Sequence, residues 1–139
     1  MREGLLLTVL MALFFTACSS APTPLTEGER DAIALEVEET LGQLTEAMNA
    51  HDSEQVLEFY KNSDDFLYLG CTDYILGWEA FSRLLRTYYP ANPEVVFQQE
   101  VVRTRVLSPT VAVVAARGSS TDAEALFWTE VMVREEDGR

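Results

Sequence analysis

Histidine and cysteine are nearly absent from this 139-residue chain, which holds one His and two Cys. That stock is too small for a Cys/His zinc cluster, and a Cys-His-Asn nucleophile set would consume most of it. Neither a metal nor a cofactor is expected from these residues. Basic side chains are scarce too: 10 Lys and Arg stand against 23 Asp and Glu, a formal net charge of −13. A surface of that sign repels phosphate backbones and anionic headgroups, so nucleic acid is not an expected partner. The N-terminal apolar run, Leu5 to Phe15, is too short for a membrane-spanning helix, which needs about 20 residues. The length leaves no room for two ordinary domains. What is present is ordinary, 47% hydrophobic and 24% charged residues, and supports one packed domain rather than a disordered chain.

The apolar run follows Arg2 and fits the core of a signal peptide over residues 1–17. Phe15-Thr16-Ala17-Cys18 resembles the bacterial lipobox, with Phe15 where Leu is usual. The resemblance implies cleavage after Ala17 and diacylation of Cys18, which becomes the mature N-terminus. The alternative is an ordinary signal peptide cleaved at the same bond, leaving Cys18 a free thiol. Acyl chains, at about 0.8 kcal/mol per buried CH₂, anchor a protein to a membrane without protein–lipid contacts. Residues 18–25, with Ser19, Ser20, Pro22 and Pro24, read as a lipidated tether. The expected location is the cell envelope, lipid-anchored. Ser19 after the Cys favours the periplasmic face of the outer membrane if the source is Gram-negative. Cys71 then has no intramolecular partner and reads as a small buried hydrophobe.

The folded part is expected over residues 26–139. Thr26 and Glu29 form a capping-box pattern, and Ile33, Val37, Leu41, Leu44 and Met48 recur at helical spacing to about Ala50. The opposite face carries Asp31, Glu36, Glu38, Glu39 and Glu46 and reads as solvated. Asp52 suits the N-cap of a short second helix with Val56, Leu57, Phe59 and Tyr60 on its apolar side. Phe66 to Leu69 and Tyr74 to Leu76 read as a hairpin joined by Gly70-Cys71-Thr72-Asp73. Gly77 starts a third helix with Trp78, Phe81, Leu84 and Leu85, stopped by the Tyr88 to Pro93 stretch. Three long strands follow: Val95 to Leu107, with Val101 and Val106 on opposite faces, Val111 to Arg117, and Ala125 to Arg134. The last alternates Phe127, Val131 and Val133 against Trp128 and Met132. Strands this apolar on both faces need cover on both sides, so a partner subunit or a strongly curled sheet is expected.

This order of elements resembles the nuclear transport factor 2-like superfamily, also called SnoaL-like or ketosteroid-isomerase-like. The residues that carry it are Ala47 to Asp52, similar to "A-x-N-x-x-D", Asp65 to Tyr68 in the first strand, Gly77 to Phe81, similar to "G-x-E-A-[IF]", and Ser108 to Val114. The resemblance implies an α+β, cystatin-like fold: a curled antiparallel sheet wrapped on three helices, forming a cone with a pocket at its open end. It also implies frequent dimerisation through the sheet's outer face. Members usually continue past "D-G" with another strand, whereas here Asp137-Gly138-Arg139 ends the sequence. Asp-Gly is a strong hairpin signal, so a missing last strand and an open, apolar sheet edge are expected.

Isomerase-like chemistry needs a carboxylate base beside a pocket and a Tyr or protonated acid that stabilises an enolate. The resemblance puts Asp65 and Tyr60 in those roles, as catalytic candidates. Asp64 and Asp65 read equally well as turn residues, and Tyr60 as core. Tyr68 and Trp128 are candidate pocket lining. Glu100 and Glu130 are strand acids whose facing is open, His51 reads as a loop histidine with a local hydrogen bond, and Arg103 and Arg105 share one strand face. The expected function is binding of a small molecule or partner protein in the cone by a lipid-anchored envelope domain. The alternatives are an isomerase, dehydratase or hydrolase using Asp65 and Tyr60, or a structural dimerisation module. The expected partners are a small-molecule ligand, the membrane through Cys18 and a second copy in a homodimer.

Overall fold

A computed structural model describes residues 24–70, 73–121 and 123–135. The expected signal peptide, the lipidated Cys18, most of the tether, Cys71 and the Asp137-Gly138 turn lie outside the described residues. Helix α1 spans Glu27–Asn49, and its start is closed by a complete capping box. The Glu29 N–H donates to the Thr26 hydroxyl at 3.3 Å, while the Thr26 N–H donates to the Glu29 carboxylate at 2.8 Å. Two of the orphan donors at a helix start are thereby satisfied. The short α2, Ser53–Leu57, begins at Asp52, whose Oδ1 accepts from the Glu54 and Gln55 N–H groups at 3.1 Å each.

Strands β1, Leu67–Leu69, and β2, Tyr74–Leu76, form an antiparallel hairpin, with Leu67 opposite Leu76. Gly77 carries the chain into α3, Trp78–Ala91, at φ 81°, a left-handed conformation that suits a residue without Cβ. The Tyr88 to Pro93 stretch ends α3 later than expected: the helix runs through Pro90 and stops at Ala91.

Strands β3, Phe97–Ser108, β4, Val111–Ser120, and β5, Ala123–Val133, form a three-stranded antiparallel meander in the order β3-β4-β5. Strand β4 runs past its expected end at Arg117, because its ladder continues to Ser120. A register shift between Val101 and Arg103 inserts one extra residue into β3. This bulge corrects the simple alternation: Val101 and Val106 share one face, opposite Ala116 and Ala112, while Val102 is 60% exposed on the other.

The core lies between α1 and the inner face of this meander. Val37, Leu41, Leu44 and Ala47 of α1 are buried against Ala112, Val114 and Ala116 of the sheet, joined by Val56 and Tyr89. Alternation makes Ala112, Val114 and Ala116 point inward, so their β5 partners Met132, Glu130 and Trp128 share that face. The outer face of β5 is open: Phe127 is 75% exposed and Val131 65%. Among the described residues no helix is long and apolar enough to cross a membrane.

Candidate functional site

An aromatic cluster fills the space between the hairpin and α3. Its centre is Phe81, which is fully buried. Tyr60, just past α2, sets its ring edge against Phe81 at 5.0 Å and against Phe66 at 6.0 Å. Tyr68 on β1 lies tilted on Phe81 at 5.2 Å, and Trp78 meets Phe66 edge-on at 5.8 Å. Edge-to-face pairs of this kind match the negative ring face of one partner with the positive edge of the other.

Across from this cluster stands the inner face of β5. Trp128 and Glu130 are two apart on the strand and therefore neighbours on one face. Trp128 favours the charged form of the Glu130 carboxyl. Burial raises the Glu130 carboxyl above its ordinary range, and Trp128 opposes this only in part. The Tyr60 hydroxyl is raised still more strongly, first by burial, then by the negative charge of Glu130, then by Tyr68 and Tyr89. The structure thus brings Tyr60 and Trp128 toward one carboxyl group, that of Glu130, with Tyr68 near Tyr60. The site sets a Tyr hydroxyl that keeps its proton and a carboxyl whose protonated form burial favours beside aromatic rings, and the hydroxyl can donate a hydrogen bond to an oxygen of a bound molecule.

Asp65 is not part of this group. It is exposed, and the Ser63 hydroxyl donates to its Oδ1. That bond holds its carboxyl below the ordinary range, helped by a backbone bond and by Lys61. A general base working near neutral pH needs the opposite perturbation. The reason is local: the Phe66 N–H closes a turn on the Ser63 carbonyl at 3.1 Å, which leaves Asp64 and Asp65 on the outside of the bend. The expected pairing of Asp65 with Tyr60 in one cavity is therefore corrected.

The residue that sequence reasoning left unassigned is Glu130. Its signal was parity: Trp128, Glu130 and Met132 alternate with Phe127, Val131 and Val133, so the acid had to share the Trp128 face. His51 has φ 57° and lies edge-on to Tyr89 at 5.8 Å. Its Nε2 is buried without a hydrogen-bond partner among the described residues, so the expected local bond is not made there. Arg103 and Arg105 do share the outer sheet face, both exposed, opposite Ala115 and Val113. A separate open groove of about 490 Å³ runs between α1 and β3, lined by Glu38, Thr45, Glu46 and Gln99. No group of three or more His, Cys, Asp or Glu among the described residues is arranged to hold a metal ion.

Comparison with protein-family models finds no match, and comparison with curated proteins finds none. Solved structures do match. An NTF-2-like protein of unknown function from Shewanella oneidensis is similar at TM-score 0.63 and 17% identity, over 75% of this chain and 89% of that one. A domain of unknown function with a cystatin-like fold from Nostoc punctiforme is similar at TM-score 0.60 and 13% identity, covering 82% of this chain and 73% of that one. A ketosteroid isomerase-like protein from Erwinia carotovora atroseptica is similar at TM-score 0.51 and 14% identity, over 73% and 83%. Identities this low speak for architecture and not for chemistry. The helix order, the meander and these likenesses together give the chain the cystatin-like, nuclear transport factor 2-like fold that its sequence resembles.

Proposed function

We propose that the chain is a lipid-anchored envelope domain that holds a small, largely apolar molecule against Glu130, with Trp128, Tyr60 and Tyr68 around it. The observation that carries this reading is the Glu130 carboxyl: it sits half-buried on the inner sheet face, two residues from Trp128 on the same side, and acts on the Tyr60 hydroxyl. A polar group at such a place costs stability unless it is satisfied, and orienting a ligand is the commonest use of a few polar groups among aromatic side chains. Turnover has less support, because the acid first assigned as base, Asp65, faces water. The enzymatic alternative keeps Tyr60 as the donor to an enolate oxygen, with Glu130 beside it and the base supplied by neither.

Native mass spectrometry of the protein purified in mild detergent tests the binding reading. The expected spectrum shows an added small-molecule mass that is lost in Trp128→Ala and Glu130→Ala. Wild-type protein without added mass, or variants that retain it, would overturn the reading. For the anchor, a diacylglycerol mass on Cys18 and release of Cys18→Ala from membranes are expected. A second copy seated on the outer sheet face would cover Phe127 and Val131, and Phe127→Lys should then convert a dimer to a monomer by light scattering.

A further inference from the structure

The three-stranded meander has two faces, and among the described residues α1 covers the inner one. Helix α1 is also tied to β3 through side chains. The Asn49 amide donates to the Phe97 carbonyl at 3.0 Å and accepts from the Phe97 N–H at 2.7 Å, and Arg30 donates to the Val106 carbonyl at 3.3 Å. The outer face is apolar as well. Phe127 is 75% exposed, Val131 65% and Val133 49% on β5, and Val102 is 60% exposed on β3. Between them β4 offers Val113 and Ala115 to the same side. A solvated sheet face is mostly polar, whereas large apolar side chains stand bare here, and bare clusters of that kind mark contact surfaces.

The charges of this face are the reverse of the chain's. Its strand residues carry three arginines, Arg103, Arg105 and Arg117, against one carboxylate, Glu100. Arg117 already holds Glu100, from Nε at 3.0 Å and from Nη2 at 2.7 Å. Arg103 and Arg105 are exposed and bond to no described group. Every other described Lys or Arg is engaged: Lys61, Arg83, Arg86 and Arg134 in ion pairs, Arg30 on backbone carbonyls. In a chain of formal charge −13, two free cations beside a bare apolar surface are a local inversion of sign.

We propose that the outer sheet face is the docking surface for an amphipathic helix of another protein, apolar on one side and acidic along one flank. Charge complementarity selects that occupant. Arg103 and Arg105 are two apart on β3, roughly 6.8 Å along the strand. Carboxylates four apart on a helix are spaced about 6 Å along its axis. A helix laid along β4 can therefore set one carboxylate at each guanidinium. Its apolar side then covers Val113, Phe127 and Val131, supplying the layer that an apolar sheet face requires. A second copy of this chain is less complementary. An isologous contact sets the same patch against itself, so Arg103 and Arg105 would meet further arginines and a Glu100 that Arg117 holds. An anionic membrane offers phosphate to both guanidinium groups, but its field acts on the whole charge of −13 and repels it. Glu130 lies on the inner face, so ligand binding there and helix docking here succeed or fail separately.

The probe is a set of synthetic helices of about 18 residues, roughly 27 Å long, with Leu at helical spacing and Glu, Gln or Lys in pairs four apart on one flank. Affinity for the full chain is read at low salt from the fluorescence anisotropy of labelled peptide. Glu peptides should bind about fivefold or more tighter than their Gln counterparts, the size expected for two exposed ion pairs, and Lys peptides should bind more weakly still. Arg103→Gln combined with Arg105→Gln should erase the preference for Glu and leave the melting temperature unchanged, because neither side chain is bonded within the described fold. Phe127→Ser should weaken Glu and Gln peptides alike. The proposal is overturned if no peptide binds, if Glu and Gln peptides bind equally, or if the double variant keeps the preference. Two further results overturn it by naming another occupant. A wild-type dimer that takes up no peptide and that Phe127→Lys breaks, by light scattering, assigns the face to a second copy. Recruitment of the Cys18→Ala chain to phosphatidylglycerol vesicles, lost in the double variant, assigns it to lipid.

Discussion

The two edges of one sheet make the most informative contrast in this molecule. At β3, α1 lies alongside and lends Asn49 and Arg30 to the strand's outward backbone groups. The core beneath is continuous, from Leu41 and Leu44 to Ala112 and Val114. At β5, the inner face carries a carboxyl group among aromatic rings, the outer face shows bare Phe127 and Val131, and the edge is unpaired among the described residues. The β3 side is consistent at every level, whereas on the β5 side a buried acid and bare apolar side chains break that consistency. Such departures from consistency mark the places where proteins bind and react.

The strongest way to break the finished side is Leu41→Ala. Leu41 is 1% exposed, so the expected loss is about 2–5 kcal/mol in denaturant unfolding, the range for a buried Leu truncated to Ala. A loss near zero would mean that α1 does not carry the core. Gly118→Ala attacks the β5 side from behind. A Cβ on Gly118 would press on the Gln98 carbonyl oxygen and lie 2.7 Å from the Trp128 ring. Overpacking of this kind costs about 1–3 kcal/mol, and here it also pushes Trp128 off Glu130. Altered Trp fluorescence alongside the lost stability is expected; a stability change with an unmoved Trp128 signal would detach Gly118 from the site. Asn49→Ala should be milder, about 1–2 kcal/mol for two hydrogen bonds exposed to water. Its distinguishing readout is faster exchange at the Phe97 amide with β5 amides unchanged, which makes β3 resemble β5.

Most of the finished side was legible in the sequence. Ile33, Val37, Leu41, Leu44 and Met48 announce their face by spacing alone, and Thr26, Asp52 and Gly77 mark helix starts through side-chain or backbone chemistry that acts within a few residues. The β3 bulge was not legible: a single extra residue at Val102 leaves no compositional mark, and it reverses the parity of everything beyond it. The site was legible in part. Tyr60, Tyr68 and Trp128 are drawn in by aromatic bulk, which composition reveals. Asp65 and Glu130 are carboxylates of similar chemistry, and only their surroundings separate them: one closes a turn in water beside Ser63, the other stands inside on a strand. Burial is a property of the assembled fold, so the identity of the acid had to wait for the packing, although strand parity already pointed to Glu130.

The smallest expected effect sharpens the contrast between those two acids. Burial raises the Glu130 carboxyl, so the folded chain holds its proton at a pH where the unfolded chain has released it. The unfolded state then binds fewer protons, and stability falls as pH rises from the ordinary glutamate value, roughly 4.3, toward the raised folded value. Above that value the loss is constant. Glu130→Gln keeps the shape but has no charge to bury. It should therefore melt higher than wild type at neutral pH, while the two converge in acid below the ordinary glutamate value. Asp65→Asn should do the reverse in sign, because Ser63 and Lys61 favour its charged form; its contribution is present at neutral pH and fades as pH falls, and solvent keeps it small. Paired thermal melts of the two variants from acid to neutral pH distinguish these slopes. If Glu130→Gln were less stable than wild type at neutral pH, the carboxylate would be a satisfied charge rather than a buried acid, and the interior site would lose the feature on which ligand binding was proposed.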